Sequence, residues 1–101
     1  MRKVYICGKV SDELRADVEL KFNYAEMLLT FNNYDAVNPI ALVPEETTWE
    51  NAMNICIRAM LDCTHIYLLE DWRQSRGARI EYQLSKALKL TRVNSKSLCL
   101  I

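Results

Sequence analysis

The segment Ser75-Arg76-Gly77-Ala78-Arg79-Ile80-Glu81 holds the densest chemistry in this sequence. A hydroxyl, a glycine and two arginines at the start of a helix suit an anion, because the first backbone amides of a helix have no internal partner. Gly77 lets a ligand approach the backbone closely. Glu81 follows about one turn into the helix, from where its carboxylate can reach back over the helix start into a cleft. A plainer reading fits the same residues, with Ser75 as an N-cap and Glu81 as a solvated residue paired with an arginine. A second cluster, Tyr5-Ile6-Cys7-Gly8-Lys9-Val10, sits near the start. There Tyr5 suits a core position or a ligand contact, and Lys9 either meets a phosphate or is solvated.

Other familiar chemistry is absent. The sequence has no Walker A motif, no G-x-G-x-x-G after the first strand and no H-E-x-x-H. A receiver domain needs acidic residues where this chain has Cys7-Gly8-Lys9. His65 is the one histidine, so a histidine triad or metal site has nothing to build around. The cysteines Cys7, Cys56, Cys63 and Cys99 make no C-x-x-C pair, which points to reduced, buried thiols. No cofactor is expected.

A length of 101 residues bounds the chain to one domain, 1–101. Thirteen basic and thirteen acidic residues cancel, so no net field favours nucleic acid or an anionic membrane. A ligand's charge must then be met locally. The sequence runs straight into a strand-like segment without a signal-peptide pattern, and no apolar run approaches the ~20 residues that span a bilayer. A cytoplasmic location is the expectation.

The elements that position these residues alternate. Lys3–Cys7 is β-branched and aromatic, as a strand is. A helix over about Asp12–Phe31, capped by Ser11 or Asp12, repeats Leu14, Val18, Phe22, Ala25 and Leu28/Leu29 at helical spacing. Asn32-Asn33 ends it, and Tyr34–Val37 reads as a strand stopped by Asn38-Pro39. Thr47 and Glu50 fit a capping box for a helix running to about Asp62. His65–Leu69 is a short apolar run of the kind found in a central parallel strand. Arg76–Leu90 reads as a third helix, and Ser97–Ile101 as a last strand. The order β-α-β-α-β-α-β predicts an α/β fold: a small flavodoxin- or Rossmann-like three-layer sandwich, about four parallel strands with helices on both faces. In such sheets ligands bind at the carboxyl ends of the strands, where Gly8–Ser11, Asn38–Thr48 and Glu70–Gly77 open. Trp49 fits a hydrophobic staple or a pocket wall; Trp72 fits a stacking surface or a residue folded back on the third helix. Met53, Met60 and Leu61 read as core.

Four blocks carry a resemblance over essentially the whole chain: Tyr5–Val10, Asn38-Pro39, Thr48-Trp49-Glu50 and Trp72–Glu81. They resemble a small bacterial and phage family of unknown function related to the nucleoside 2-deoxyribosyltransferases. The 2'-deoxynucleoside 5'-monophosphate N-glycosidases look alike in the same places. The resemblance implies that Glu81 is a nucleophile attacking the anomeric carbon of deoxyribose, as in retaining glycosidase chemistry. It implies that Ser75 and Gly77 hold a 5'-phosphate and that Tyr5, Gly8 and Lys9 contact sugar and base. Serine at 75, where the transferases carry aspartate, favours a nucleotide over a free nucleoside. The pattern departs at Cys56, where relatives place an aspartate that helps protonate the base, and at Glu70-Asp71, which replaces a common Pro-Gly and adds negative charge. A nucleotide-binding or sensing module without catalysis, or a flavodoxin-like interaction domain, are the alternatives. A sheet of four strands leaves a helical face under-covered, and the related enzymes are oligomers, so a homodimer is expected.

Overall fold

The computed structural model describes residues 1–100. Four strands, β1 (Lys3–Cys7), β2 (Asp35–Val37), β3 (His65–Leu68) and β4 (Thr91–Arg92), alternate with helices α1 (Arg15–Phe31), α2 (Trp49–Leu61) and α3 (Arg76–Ala87). Short 3-10 turns occupy Pro39–Ala41, Trp72–Gln74 and Ser95–Ser97. All strand pairs are parallel, in the order β2-β1-β3-β4. The α/β architecture expected from the sequence is therefore the one observed.

Strand β1 explains the layering. From Val4 to Cys7 its alternating side chains are all buried, so both faces of the sheet are covered. Val4 and Ile6 join Val18, Phe22, Ala25, Leu28 and Leu29 of α1 on one face. Tyr5 and Cys7 join Met60, Cys63, Ile66 and Ala78 on the other, under α2 and α3. Gly8 ends the strand for a steric reason: a Cβ there would lie 2.5 Å from Leu69 Cδ1 and 2.9 Å from Leu69 Cβ. That close approach keeps the ends of β1 and β3 together, with the Leu69 N–H bonded to the Cys7 carbonyl at 2.9 Å. Because the chain crosses β1 on its way from β2 to β3, the strand order reverses here. The crevice beyond these two carboxyl ends is where such sheets bind ligands.

Several element ends differ from expectation. Helix α1 starts at Arg15 rather than Asp12; Asp12 has φ 66°, and Leu14, at the N-cap, has no side-chain capping bond. An aspartate tolerates that left-handed geometry, so Ser11 to Leu14 form a turn, and Leu14 is exposed rather than core. The α2 cap is Thr48, whose hydroxyl accepts from Asn51 N–H at 3.1 Å; Thr47 instead accepts from the Asn51 side chain at 2.7 Å. Leu61 ends α2 exposed, while Met60 is fully buried. Helix α3 stops at Ala87, Lys89 turns with φ 61°, and the last strand is Thr91–Arg92. The strand expected over Ser97–Ile101 is not formed over 97–100. Asn94 caps a 3-10 turn there, Leu98 packs into the α1 core, and Cys99 exchanges two hydrogen bonds with the Asn32 side chain. Ile101 lies outside the described residues. No helix among the described residues is long and apolar enough to cross a membrane.

Candidate functional site

A cavity of about 300 Å³ opens beyond the carboxyl end of β1, between the loop after β1, the loop after β2 and the start of α3. That volume lies at the lower end of the range for small-molecule sites. Tyr5, Gly8, Ser75, Gly77 and Glu81 all line it. Lys9 does not. Its backbone N–H donates to Asp71 Oδ1 at 3.0 Å instead.

Glu81 is buried rather than solvated, with 5 % of its surface exposed. The inward face of α3 explains this. Gly77, Ala78 and Ser85 share that face, and small residues bring the helix close enough to seat a carboxyl against β1. Ile80, the apolar residue beside it, is 39 % exposed. No cation pairs with Glu81 among the described residues. Burial raises its pKa to about 7, against the opposing influence of the Tyr5 hydroxyl and Cys7 thiol that face it. The effect is mutual: burial first, then the Glu81 charge, push Tyr5 well above its usual range and Cys56 up to about 11. Cys7 moves the same way, and its thiol donates to the Ala78 carbonyl at 3.4 Å.

Ser75 is the α3 N-cap, its hydroxyl accepting from Ala78 N–H at 3.1 Å. Arg79 N–H bonds the Ser75 carbonyl at 3.0 Å. The Arg76 and Gly77 amides at the head of the helix are thus left for a ligand. The neighbouring arginines are committed elsewhere. Arg76 stacks over the Trp49 ring at 4.6 Å, and Arg79 donates to the Arg73 carbonyl at 2.8 Å. Gly77 serves packing too, since a Cβ on it would lie 2.9 Å from Met53 Sδ.

The acidic pair at 70–71 is only partly free. Asp71 accepts from Lys9 N–H and pairs with Lys21, which also pairs with Glu13. This knot ties the loop after β1 to the loop after β3, with Asp71 and Glu13 sharing the one Lys21 charge. Trp49 lines the cavity, whereas Trp72 folds back on α3, edge-on to Tyr82 at a centroid distance of 4.7 Å. Cys56 occupies the α2 wall, half-buried. His65 lies at the amino end of β3, away from the cavity, with Nδ1 2.7 Å from the Thr64 hydroxyl.

Sequence reasoning missed Arg15 as a cavity residue, whereas Ser11 and Thr48 close loops already expected at the carboxyl ends of the strands. Arg15 forms an i,i+4 pair with Glu19 at 3.1 Å, a pairing that by itself carries no sign of a ligand site. The usable signal was topological: a helix that follows a parallel strand points its first turn at the crevice.

A family model described as a domain of unknown function, DUF4406, matches residues 2–93. No curated protein and no solved structure matches the chain.

Proposed function

The chain belongs to the DUF4406 family, and from that premise we propose that it is an N-glycosidase or deoxyribosyltransferase-like protein acting on 2'-deoxynucleoside 5'-monophosphates. One observation carries the reading: a carboxyl with 5 % exposure and no cationic partner faces a cavity at the switch point of the sheet. An unpaired buried carboxyl is costly to the fold, and such costs gather where chemistry uses them. The resemblance to the transferases and monophosphate glycosidases supplies the chemistry. Glu81 attacks the anomeric carbon, the base leaves, and the glycosyl ester passes to water or to another base. The 5'-phosphate rests on the Arg76 and Gly77 amides with the Ser75 hydroxyl donating, about 6 Å along the helix axis from Glu81 at 1.5 Å per residue. Gly8 and Tyr5 lie under the sugar. Lys9 is placed outside the cavity wall and is left with a structural role.

A second reading keeps the pocket and drops the turnover. Cys56 stands where relatives carry an acid, and its thiol, pushed up to about 11, is a poor proton donor. The protein is then a nucleotide-binding or sensing module. Incubation with a panel of 2'-deoxynucleoside 5'-monophosphates, following free base by chromatography, separates the two. Base release by wild type and none by Glu81→Gln supports the glycosidase. A nucleotide-dependent rise in melting temperature without release supports the binding module. Neither signal refutes both.

We further propose that the chain pairs with a second copy of itself. Leu20, Tyr24, Met27 and Phe31 are 71 %, 49 %, 51 % and 56 % exposed. Their 4-3-4 spacing places them on one face of α1, opposite its buried face. An apolar stripe of this kind on a helix already buried on its other side is the pattern of an interface.

A further inference from the structure

Arg15 is the one basic side chain lining the cavity among the described residues. It sits at the end away from the α3 amides. Its Nη2 donates to the carbonyl of Ile40, which follows β2, whereas Ser75 follows β3, and β1 lies between them. Two contacts hold the guanidinium: Nε to Glu19 Oε2 at 3.1 Å and Nη2 to Ile40 O at 3.3 Å. Guanidinium carries five N–H donors and no acceptor, so three remain uncommitted. The side chain is 29 % exposed, which leaves it reachable from the cavity while partly desolvated. Among the described residues, the acids sharing the wall are Glu81, on the far side, and Glu45, on the exposed loop after β2.

We propose that Arg15 reads the departing base and selects 6-oxopurines, making the preferred substrates the 2'-deoxynucleoside 5'-monophosphates of hypoxanthine and guanine. A fork of donors matches two acceptors side by side, and a 6-oxopurine presents O6 and N7 in that arrangement. Adenine presents a donor at C6, which an all-donor group rejects. The proposal rests on the glycosidase reading for its chemical step. In that step the Glu81 carboxylate oxygen bonds to the anomeric carbon as the C–N bond breaks, and the bonding pair leaves on the base nitrogen. The charge of the departing base spreads onto O6, where Arg15 neutralises it, so no protonated side chain is needed at Cys56. Water then attacks the anomeric carbon, the ester pair returns to Glu81, and the water proton ends on the base.

The test compares 2'-deoxyinosine and 2'-deoxyadenosine 5'-monophosphate, which differ in the group at purine C6. Wild type is expected to favour the oxo substrate in kcat/KM by at least about tenfold. Arg15→Met should erase that preference by a loss on the oxo substrate alone. Arg15→Lys, which keeps the charge and loses the fork, should retain part of it. Equal rates in wild type, or equal losses on both substrates in folded Arg15→Met, overturn the proposal. If neither nucleotide is hydrolysed, the rest of the nucleotide panel decides the glycosidase reading, and calorimetric binding of this pair decides the recognition alone. Tighter binding of the oxo nucleotide by wild type, lost in Arg15→Met, upholds it. Equal binding, or none, overturns it.

Discussion

Replacing Glu81 by glutamine should make the protein more stable at neutral and alkaline pH. The carboxyl titrates near 4.5 when solvated and about 7 in the fold. A group raised on folding holds its proton more tightly in the native state, so its contribution is intact below pH 4.5 and lost as the pH climbs through 7. Linkage puts the cost of ionising Glu81 in place at less than about 1 kcal/mol at pH 5 and about 3 kcal/mol at pH 8. Glutamine keeps the shape and carries no charge, so it escapes that cost. Urea unfolding of both proteins at pH 5, 6, 7 and 8 gives the difference directly, because the groups that the Glu81 charge shifts, Tyr5, Cys7 and Cys56, all titrate above that range. Curves that converge at pH 5 and separate by about 2 to 3 kcal/mol at pH 8, with the variant the more stable, are the expected result. Parallel curves, or a variant less stable at pH 8, would refute the argument that Glu81 is an uncompensated buried acid.

Other expectations follow from the same geometry. A nucleophilic carboxylate must be ionised, so kcat/KM for base release should fall as pH drops, with an acid limb near 7 in a pH–rate profile. Cys56→Asp places an acid on the α2 wall, and base release should stay within about threefold of wild type because Arg15 carries the leaving charge; a gain of about 10²-fold would assign proton donation to that position instead. Gly8→Ala should cost about 1 to 3 kcal/mol in chemical denaturation, because the new methyl meets the Cβ of Leu69, which is fixed to the backbone. Gly77→Ala meets only the flexible end of Met53, so its melting temperature should change little while nucleotide affinity in calorimetry falls. Met27→Glu should leave the fold intact and shift sedimentation velocity from dimer to monomer; a wild type that stays monomeric across a concentration series removes the α1 pairing.

The sequence was most legible where side-chain polarity follows burial. The bounds of β1 are those the residue pattern indicates, and Val18, Phe22, Ala25, Leu28 and Leu29 face the sheet from α1 as their spacing requires. The start of α3 at a Ser75 cap was equally clear. Periodicity misleads on α3 itself, where the buried face is small and polar and an isoleucine points outward. Glu81 therefore reads as solvated by pattern and as a nucleophile only by resemblance. Glycine was ambiguous for another reason: a missing Cβ serves a ligand or a neighbouring side chain alike, and at Gly77 Met53 already uses the space. The last strand was misplaced because two residues, Thr91 and Arg92, carry no periodicity to detect. The residues that meet in the cavity come from loops after three different strands, and only the strand order brings them together.

The same strand order sets which part of the molecule opens last. β1 is bonded along both sides, while the outer strands β2 and β4 have three and two residues. Amide protons of Tyr5 and Cys7 are then released only when the whole sheet comes apart, whereas those of the outer strands and of the loops after β1 and β2 exchange through local fraying. The short rims also present few free backbone groups to a foreign strand. The floor of the cavity thus belongs to the slowest-exchanging layer and its walls to the fastest. On the function proposed above, a nucleotide would enter and leave by movement of the walls, with the floor left in place.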